Sequence, residues 1–206
     1  GSNATAVGKG ALDACTTVTD DLTAVGKNAL GALSHADSEQ NTAVGSAAAA
    51  ALVGASGAGK WNTVLGAYAL TSSVDGTGNT AIGRAALYGG DCANDNTAVG
   101  ASALNVFTGS YAVAVGSGAA VAATGAANLT AVGKDALGTC IGGASNTAVG
   151  VSALGGTDDG ANNTAVGVAA LDANCADDNT AIGINALSAF TGSNATAVGS
   201  GAADVA

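Results

Sequence analysis

A five-residue phrase that ends in glycine recurs through the whole chain and constrains the fold more than any other feature. The sequence NTAVG occurs at residues 41–45, 96–100, 146–150 and 163–167, and close variants bring the total to twelve copies. Successive closing glycines lie 16 to 21 residues apart, most often 17. A unit this short cannot bury an apolar face alone and becomes stable only by stacking on its neighbours. The repeat predicts an all-β fold, a parallel β-solenoid or β-roll of about twelve coils with roughly 17 residues per coil.

We expect residues 1–206 to form a single repeat array that is a segment of a longer array or polymer. The stretch GSNATAVG opens the chain and returns at 192–199, and Cys92 and Cys175 lie 83 residues apart in similar surroundings. Neither end of the sequence resembles the polar cap that an isolated solenoid needs, which predicts axial head-to-tail stacking. The coils end at Gly8, Gly26, Gly45, Gly66, Gly83, Gly100, Gly116, Gly133, Gly150, Gly167, Gly183 and Gly199.

Stacking converts the positions of the repeat into columns. Side chains in a strand alternate between faces, so Thr42 and Val44 share one face and Ala43 takes the other. The alanine column indicates close approach of backbones, either across the coil or against a neighbouring chain. Most copies continue G-x-x-A-L, which predicts a second short strand or an inward-pointing edge. An aliphatic residue stands before the glycine in all twelve copies, and we expect a single file that includes Val44, Ile82, Val99, Val149, Val166 and Ile182.

The pattern N-[ST]-x-A-[IV]-G-x-x-A, present from Asn3 to Ala203, resembles the head repeats of trimeric autotransporter adhesins. Similar NTAVG-type repeats occur in phage tail-fibre-like proteins. The resemblance implies a left-handed parallel β-roll with three chains side by side, projecting from a cell or virion and binding a surface or glycan ligand. We therefore expect an extracellular fibre or surface adhesin segment, with the shaft of a phage or viral tail fibre as the alternative.

Composition excludes several other functions. The net charge is −10 with only five Lys and Arg residues, so the basic stripe needed for nucleic-acid binding is absent. Uncharged tracts such as 96–133 are broken by Gly, Asn, Ser and Thr, which argues against membrane insertion. With one His and no nucleophile–base–acid set, we expect neither an enzyme nor a bound cofactor.

Paired aspartates before several strands are candidate ligands for Ca²⁺, because carboxylate oxygens of stacked loops suit that ion. The alternative is a solvated acidic edge that keeps a rod soluble. The candidates are Asp20, Asp21, Asp158, Asp159, Asp177 and Asp178.

The four cysteines each follow a motif glycine by seven to nine residues, which predicts that all lie in outer loops. None occur on adjacent coils, and stacking at about 4.8 Å places even the closest pair beyond disulfide range. Cys15, Cys92, Cys140 and Cys175 are therefore candidates for disulfides between laterally packed chains.

A threonine column recurs in eleven of the twelve copies and suggests a further alternative, binding of ice or a mineral surface. Such binding requires a flat face without loops. The column two positions after the threonine is aliphatic and not a second threonine column. A threonine ladder that only stabilises the sheet explains the pattern equally well.

Overall fold

The computed structural model describes residues 3–16, 21–35, 38–54, 58–157 and 159–204. These residues form twelve strands of three residues each in one parallel sheet, in the order of the sequence, so the predicted β-solenoid is confirmed. No helix in the described ranges is long and apolar enough to cross a membrane. The strands are β1 (Thr5–Val7), β2 (Thr23–Val25), β3 (Thr42–Val44), β4 (Thr63–Leu65), β5 (Thr80–Ile82), β6 (Thr97–Val99), β7 (Val113–Val115), β8 (Thr130–Val132), β9 (Thr147–Val149), β10 (Thr164–Val166), β11 (Thr180–Ile182) and β12 (Thr196–Val198).

Every strand lies in register on the one before it, so equivalent positions of the repeat are Cα partners. Thr147 is opposite Thr164, and Val149 is opposite Val166. The amide of Thr147 donates to the Asn163 carbonyl at 2.8 Å, and the Gly150 amide donates to the Val132 carbonyl at 2.8 Å. The predicted single file of aliphatic residues is therefore confirmed.

The middle residue of every strand from β2 to β12 is buried, and it is alanine in all of these strands except β4, where it is Val64. Ala43, Ala98 and Ala148 are completely buried, whereas Val149 is 37% exposed and Ile182 41% exposed. Of the two explanations for the alanine column, close approach across the coil is the one observed. Buried leucines of the following turns also belong to this core, so the space inside each coil is filled mostly by alanine and leucine side chains.

The G-x-x-A-L segment that supplies these leucines forms a turn, and the described residues contain no second strand. Its alanine and leucine point inward, as predicted, and Leu87, Leu104 and Leu154 are buried at 0–1% exposure. These leucines adopt left-handed backbone angles, with φ of 50° to 52°. Positive φ recurs at every second residue of the turn, as at Ser102 and Leu104. The turns also hydrogen-bond from coil to coil, and the Leu104 amide donates to the Ala119 carbonyl at 2.9 Å.

The closing glycines stack directly on one another. All twelve have φ between 125° and 146°, a region that residues with a Cβ rarely adopt. A Cβ added at Gly83 would lie 2.5 Å from the carbonyl oxygen of Gly100. The glycine is therefore required both by its backbone angles and by contact with the next coil.

A buried asparagine ladder supports the entrance to the strands. The Asn62 Oδ1 accepts from the Asn79 amide at 2.9 Å, and the Asn79 Oδ1 accepts from the Asn96 amide at 3.0 Å. The Asn79 Nδ2 donates to the Ala93 carbonyl at 3.0 Å. Both groups of the Asn79 side chain thus bind the backbone of the next coil, which ends at Gly100. Two runs make up the ladder: Asn41, Asn62, Asn79 and Asn96, and then Asn146, Asn163 and Asn179.

Candidate functional site

The most extensive candidate surface is the outward face of the sheet, formed by the threonine column and the aliphatic column. No residue of either column is buried. In the aliphatic column the two end residues are the most exposed, Val7 at 57% and Val198 at 68%. Loops of variable length fall between the leucine turn and the next strand, and none of the loop residues that the structure describes lies within a strand of this face. The face is consequently regular and continuous over all twelve strands.

Charges of opposite sign flank the outward face. Four of the five basic residues occupy the position directly after the closing glycine, at one edge of the face: Lys9, Lys27, Arg84 and Lys134. Three aspartates occupy the position five residues before that glycine, at the other edge: Asp21, Asp95 and Asp178. All seven are exposed. Lys134 also pairs with neighbouring Asp135 at 2.7 Å.

The structure describes four of the six candidate calcium ligands. Asp20 and Asp158 lie outside the described residues, and Asp21, Asp159, Asp177 and Asp178 are exposed. The Asp177 Oδ1 accepts from the Ala161 amide at 2.8 Å, and the Asp21 Oδ1 accepts from the Asn3 Nδ2 at 3.0 Å. In the described ranges no group of three or more acidic, His or Cys side chains is arranged to hold a metal ion. At least two of these carboxylates thus bind groups of the neighbouring coil.

The cysteines are placed differently from the prediction of outer-loop thiols. Cys92, Cys140 and Cys175 are buried at 0–2% exposure within the core, and Cys15 is half-buried. Burial raises the pKa of the Cys92 thiol to about 11 and also raises the pKa of Cys175. The three buried thiols face the interior of their own chain, which is the wrong direction for a bridge to a neighbour.

A cleft of about 340 Å³ lies on the turns that follow β4, β5 and β6. It contains two tyrosines, Tyr68 and Tyr88, whose rings meet edge to face with centroids 6.4 Å apart. Arg84, Ser102 and Asn105 complete its polar lining, and Ala85 forms part of the wall. Sequence reasoning did not identify this cleft. The available signal was the clustering of all Tyr and Trp residues between 61 and 111.

Comparison with protein-family models, curated proteins and solved structures yields no match to this chain. What it does must therefore be argued from the geometry of its surfaces.

Proposed function

We propose that the chain is a structural segment of an extracellular fibre or surface adhesin, in which copies pack side by side through the outward face. The observation that carries the proposal is the outward aliphatic column, which continues along all twelve strands and is exposed in eight of them and half-buried in four. The cell or virion surface is the proposed location.

The backbone suits a mechanical role. Hydrogen bonds between successive coils run along the stacking direction, and the asparagine ladder adds side-chain bonds in the same direction. Eleven steps of about 4.8 Å give a rod about 53 Å long. Tension along this rod is shared among many ladder bonds, while the loops stay available for contacts with other molecules.

The size of the outward face favours association. At about 53 Å by about 10 Å it offers about 500 Å² per copy. The aliphatic column makes up about half of this area, a continuous apolar strip of a size that is often functional on soluble proteins. A standard stable interface buries about 800 Å² per partner. The flanking charged edges must therefore also contribute to a stable pair.

The charged edges favour parallel packing. A rotation about an axis parallel to the rod brings the basic edge of one copy against the acidic edge of the other. Lys27 and Asp21 belong to the same coil, so Lys27 then comes level with Asp21 of the second copy. A rotation about an axis perpendicular to the rod and in the plane of the face would oppose basic edge to basic edge. Electrostatic complementarity of this kind selects orientation more than affinity.

The oligomeric state tests this proposal. In Val149→Lys a charge enters the outward face, and in the matched control Ile141→Lys the same charge enters an exposed outer-loop position. Val149 is 37% exposed and Ile141 52% exposed, so neither change should unfold the coil. Sedimentation velocity should show an oligomer for the unmodified chain and the control, and an 18.8 kDa monomer for Val149→Lys. A monomer in all three samples would contradict lateral packing.

Ice or mineral binding is the second candidate, and the observation that favours it is the regular outward column of threonines, which is interrupted only by Val113. The two functions compete for the outward face, because a laterally packed copy would bury the threonines that an ice or mineral surface must contact. Thermal hysteresis measurements on the same samples separate them for ice. A monomer that shows hysteresis, lost in Thr147→Lys, supports ice binding, whereas an oligomer without hysteresis supports the fibre.

A further inference from the structure

The exposed aromatic residues are confined to one part of the rod. Trp61, Tyr68, Tyr88 and Tyr111 are between 42% and 62% exposed, whereas Phe107 in the same region is completely buried. The sequence contains no other Tyr or Trp. Packing therefore places the purely apolar ring inside and leaves the rings with a polar group on the surface, where they do not contribute to the core.

Two of these rings belong to the cleft on the turns after β4, β5 and β6. Tyr68 and Ala85 occupy equivalent positions in successive coils, two residues after the closing glycine, and Ser102 occupies that position in the third. Tyr88 and Asn105 are likewise equivalent, five residues after the glycine. The small Ala85 between Tyr68 and Ser102 leaves the space of the cleft, with the two rings at an interplanar angle of 86° along it.

We propose that this cleft binds a carboxylated sugar, such as a hexuronic acid unit of a surface polysaccharide. This inference deepens the adhesin part of the proposed function by naming its ligand class. The face of a tyrosine ring accepts the C–H groups of a pyranose through dispersion and its negative quadrupole. The hydroxyls of Ser102 and the tyrosines provide donors and acceptors for sugar hydroxyls. The Asn105 Nδ2 donates one hydrogen to the Ala85 carbonyl at 3.2 Å, which leaves its second hydrogen and its Oδ1 for the ligand.

The charge of the cleft selects an acidic sugar. Arg84 is its one charged lining residue, and no carboxylate lines it. Among the described residues, no acidic side chain forms a salt bridge with Arg84. In a chain with a net charge of −10, an anion has few other cationic positions, and a guanidinium binds a carboxylate through two parallel hydrogen bonds.

The volume and position of the cleft fit the same ligand. Its 340 Å³ lies at the lower end of the range of about 300–1,000 Å³ for small-molecule sites, which suits one or two sugar units with the rest of a polymer outside. The cleft lies on the turns beyond the closing glycines, and Arg84 is the one lining residue that it shares with the basic edge of the outward face. A polysaccharide in the cleft and a laterally packed copy therefore use surfaces that overlap only at Arg84.

Isothermal titration calorimetry with digalacturonate, neutral galactobiose and a tetra-aspartate peptide tests the assignment. The unmodified chain should bind digalacturonate at least about tenfold more tightly than galactobiose. Arg84→Gln should reduce affinity for digalacturonate about tenfold and leave galactobiose unchanged, because only the charged contact is lost. Tyr88→Ala should weaken both sugars, and Tyr111→Ala, an exposed tyrosine outside the cleft, should weaken neither.

Three results would overturn the inference: no binding of digalacturonate, equal losses in Tyr88→Ala and Tyr111→Ala, or equal binding of tetra-aspartate. The monomeric variant Val149→Lys keeps this test separate from the fibre proposal. If it binds digalacturonate like the unmodified chain, the cleft acts independently of assembly. If sugar binding fails while the unmodified chain is an oligomer, only the ligand assignment falls.

Discussion

Replacing one closing glycine by alanine should destabilise the solenoid far more than the same change at a loop glycine. Gly83 has φ +129°, and an added Cβ would lie 2.5 Å from the Gly100 oxygen and 2.7 Å from the Gly100 carbonyl carbon. Both contacts are with backbone, which cannot move without separating two coils. Gly125 is the matched control, since it also has a positive φ of 76° but its added Cβ meets nothing closer than 3.4 Å.

The size of the effect follows from these contacts. The strained backbone angle of Ala at position 83 costs about 1–3 kcal/mol. Relief of the overlap lengthens ladder bonds such as that from the Gly100 amide to the Ile82 carbonyl, now 2.8 Å, and each buried group left unpaired costs about 1–3 kcal/mol. With two such groups, Gly83→Ala should lose about 3–9 kcal/mol. Gly125→Ala carries only the left-handed penalty, about 1–2 kcal/mol.

Urea unfolding followed by circular dichroism measures the difference. For a slope of about 2 kcal/mol per molar urea, Gly83→Ala should lower the unfolding midpoint by more than about 1.5 M or prevent folding. Gly125→Ala should lower it by about 1 M or less. Equal shifts for the two variants would refute the direct stacking of the glycines, because the backbone-angle penalties of the two positions overlap and only the stacking contact separates their expected costs.

Two further changes probe the interior. Asn79→Ala leaves the Asn96 amide and the Ala93 carbonyl without their side-chain partner, so it should lower the free energy of unfolding in urea by about 2–4 kcal/mol. The control Asn3→Ala, at an exposed asparagine, should lower it by less than about 0.5 kcal/mol. Equal losses in the two variants would contradict the asparagine ladder. For Cys92, the folded pKa of about 11 lies above the ordinary value of 9.0, so its contribution to stability is complete below pH 9 and declines as pH rises to 11. The unmodified chain should lose up to about 3 kcal/mol more than Cys92→Ala across that interval, and parallel pH profiles would show that the thiol is not buried.

The period of the coils and their register were predictable because the repeat fixes them. Once the T-A-V-G segments stack, an insertion between them changes only a loop, and the 21-residue unit that ends at Gly66 pairs in register like the 16-residue units. The inward direction of the A-L pair followed from its hydrophobicity.

The direction of the strand faces was not predictable. Alternation shows that Thr42 and Val44 share a face but not which face is interior, and burial statistics favour valine inside. The structure has alanine inside because left-handed leucines occupy the opposite wall, and a sequence does not reveal such backbone angles. The number of chains in a fibre and its location remain predictions.

The side-chain contacts between coils also escaped sequence reasoning. Asparagine before the strand threonine recurs in seven coils, a signal that was available, but its role depends on which backbone groups the stack leaves unpaired. The burial of Cys140 depends on how its loop turns inward. The Tyr68–Tyr88 cleft depends on the offset between columns of neighbouring coils.

Disulfide trapping on the outward face tests the central claim, that equivalent positions of the repeat stack in register with threonine facing outward. Thr147 and Thr164 are Cα partners, and strands about 4.8 Å apart fall within the Cα range of a disulfide, about 4.4–6.8 Å. Thr147→Cys/Thr164→Cys should therefore oxidise within one folded chain. The pair Thr147→Cys/Thr180→Cys spans two coils, about 9.6 Å, and should stay reduced. Oxidation of the second pair but not the first would contradict the stack.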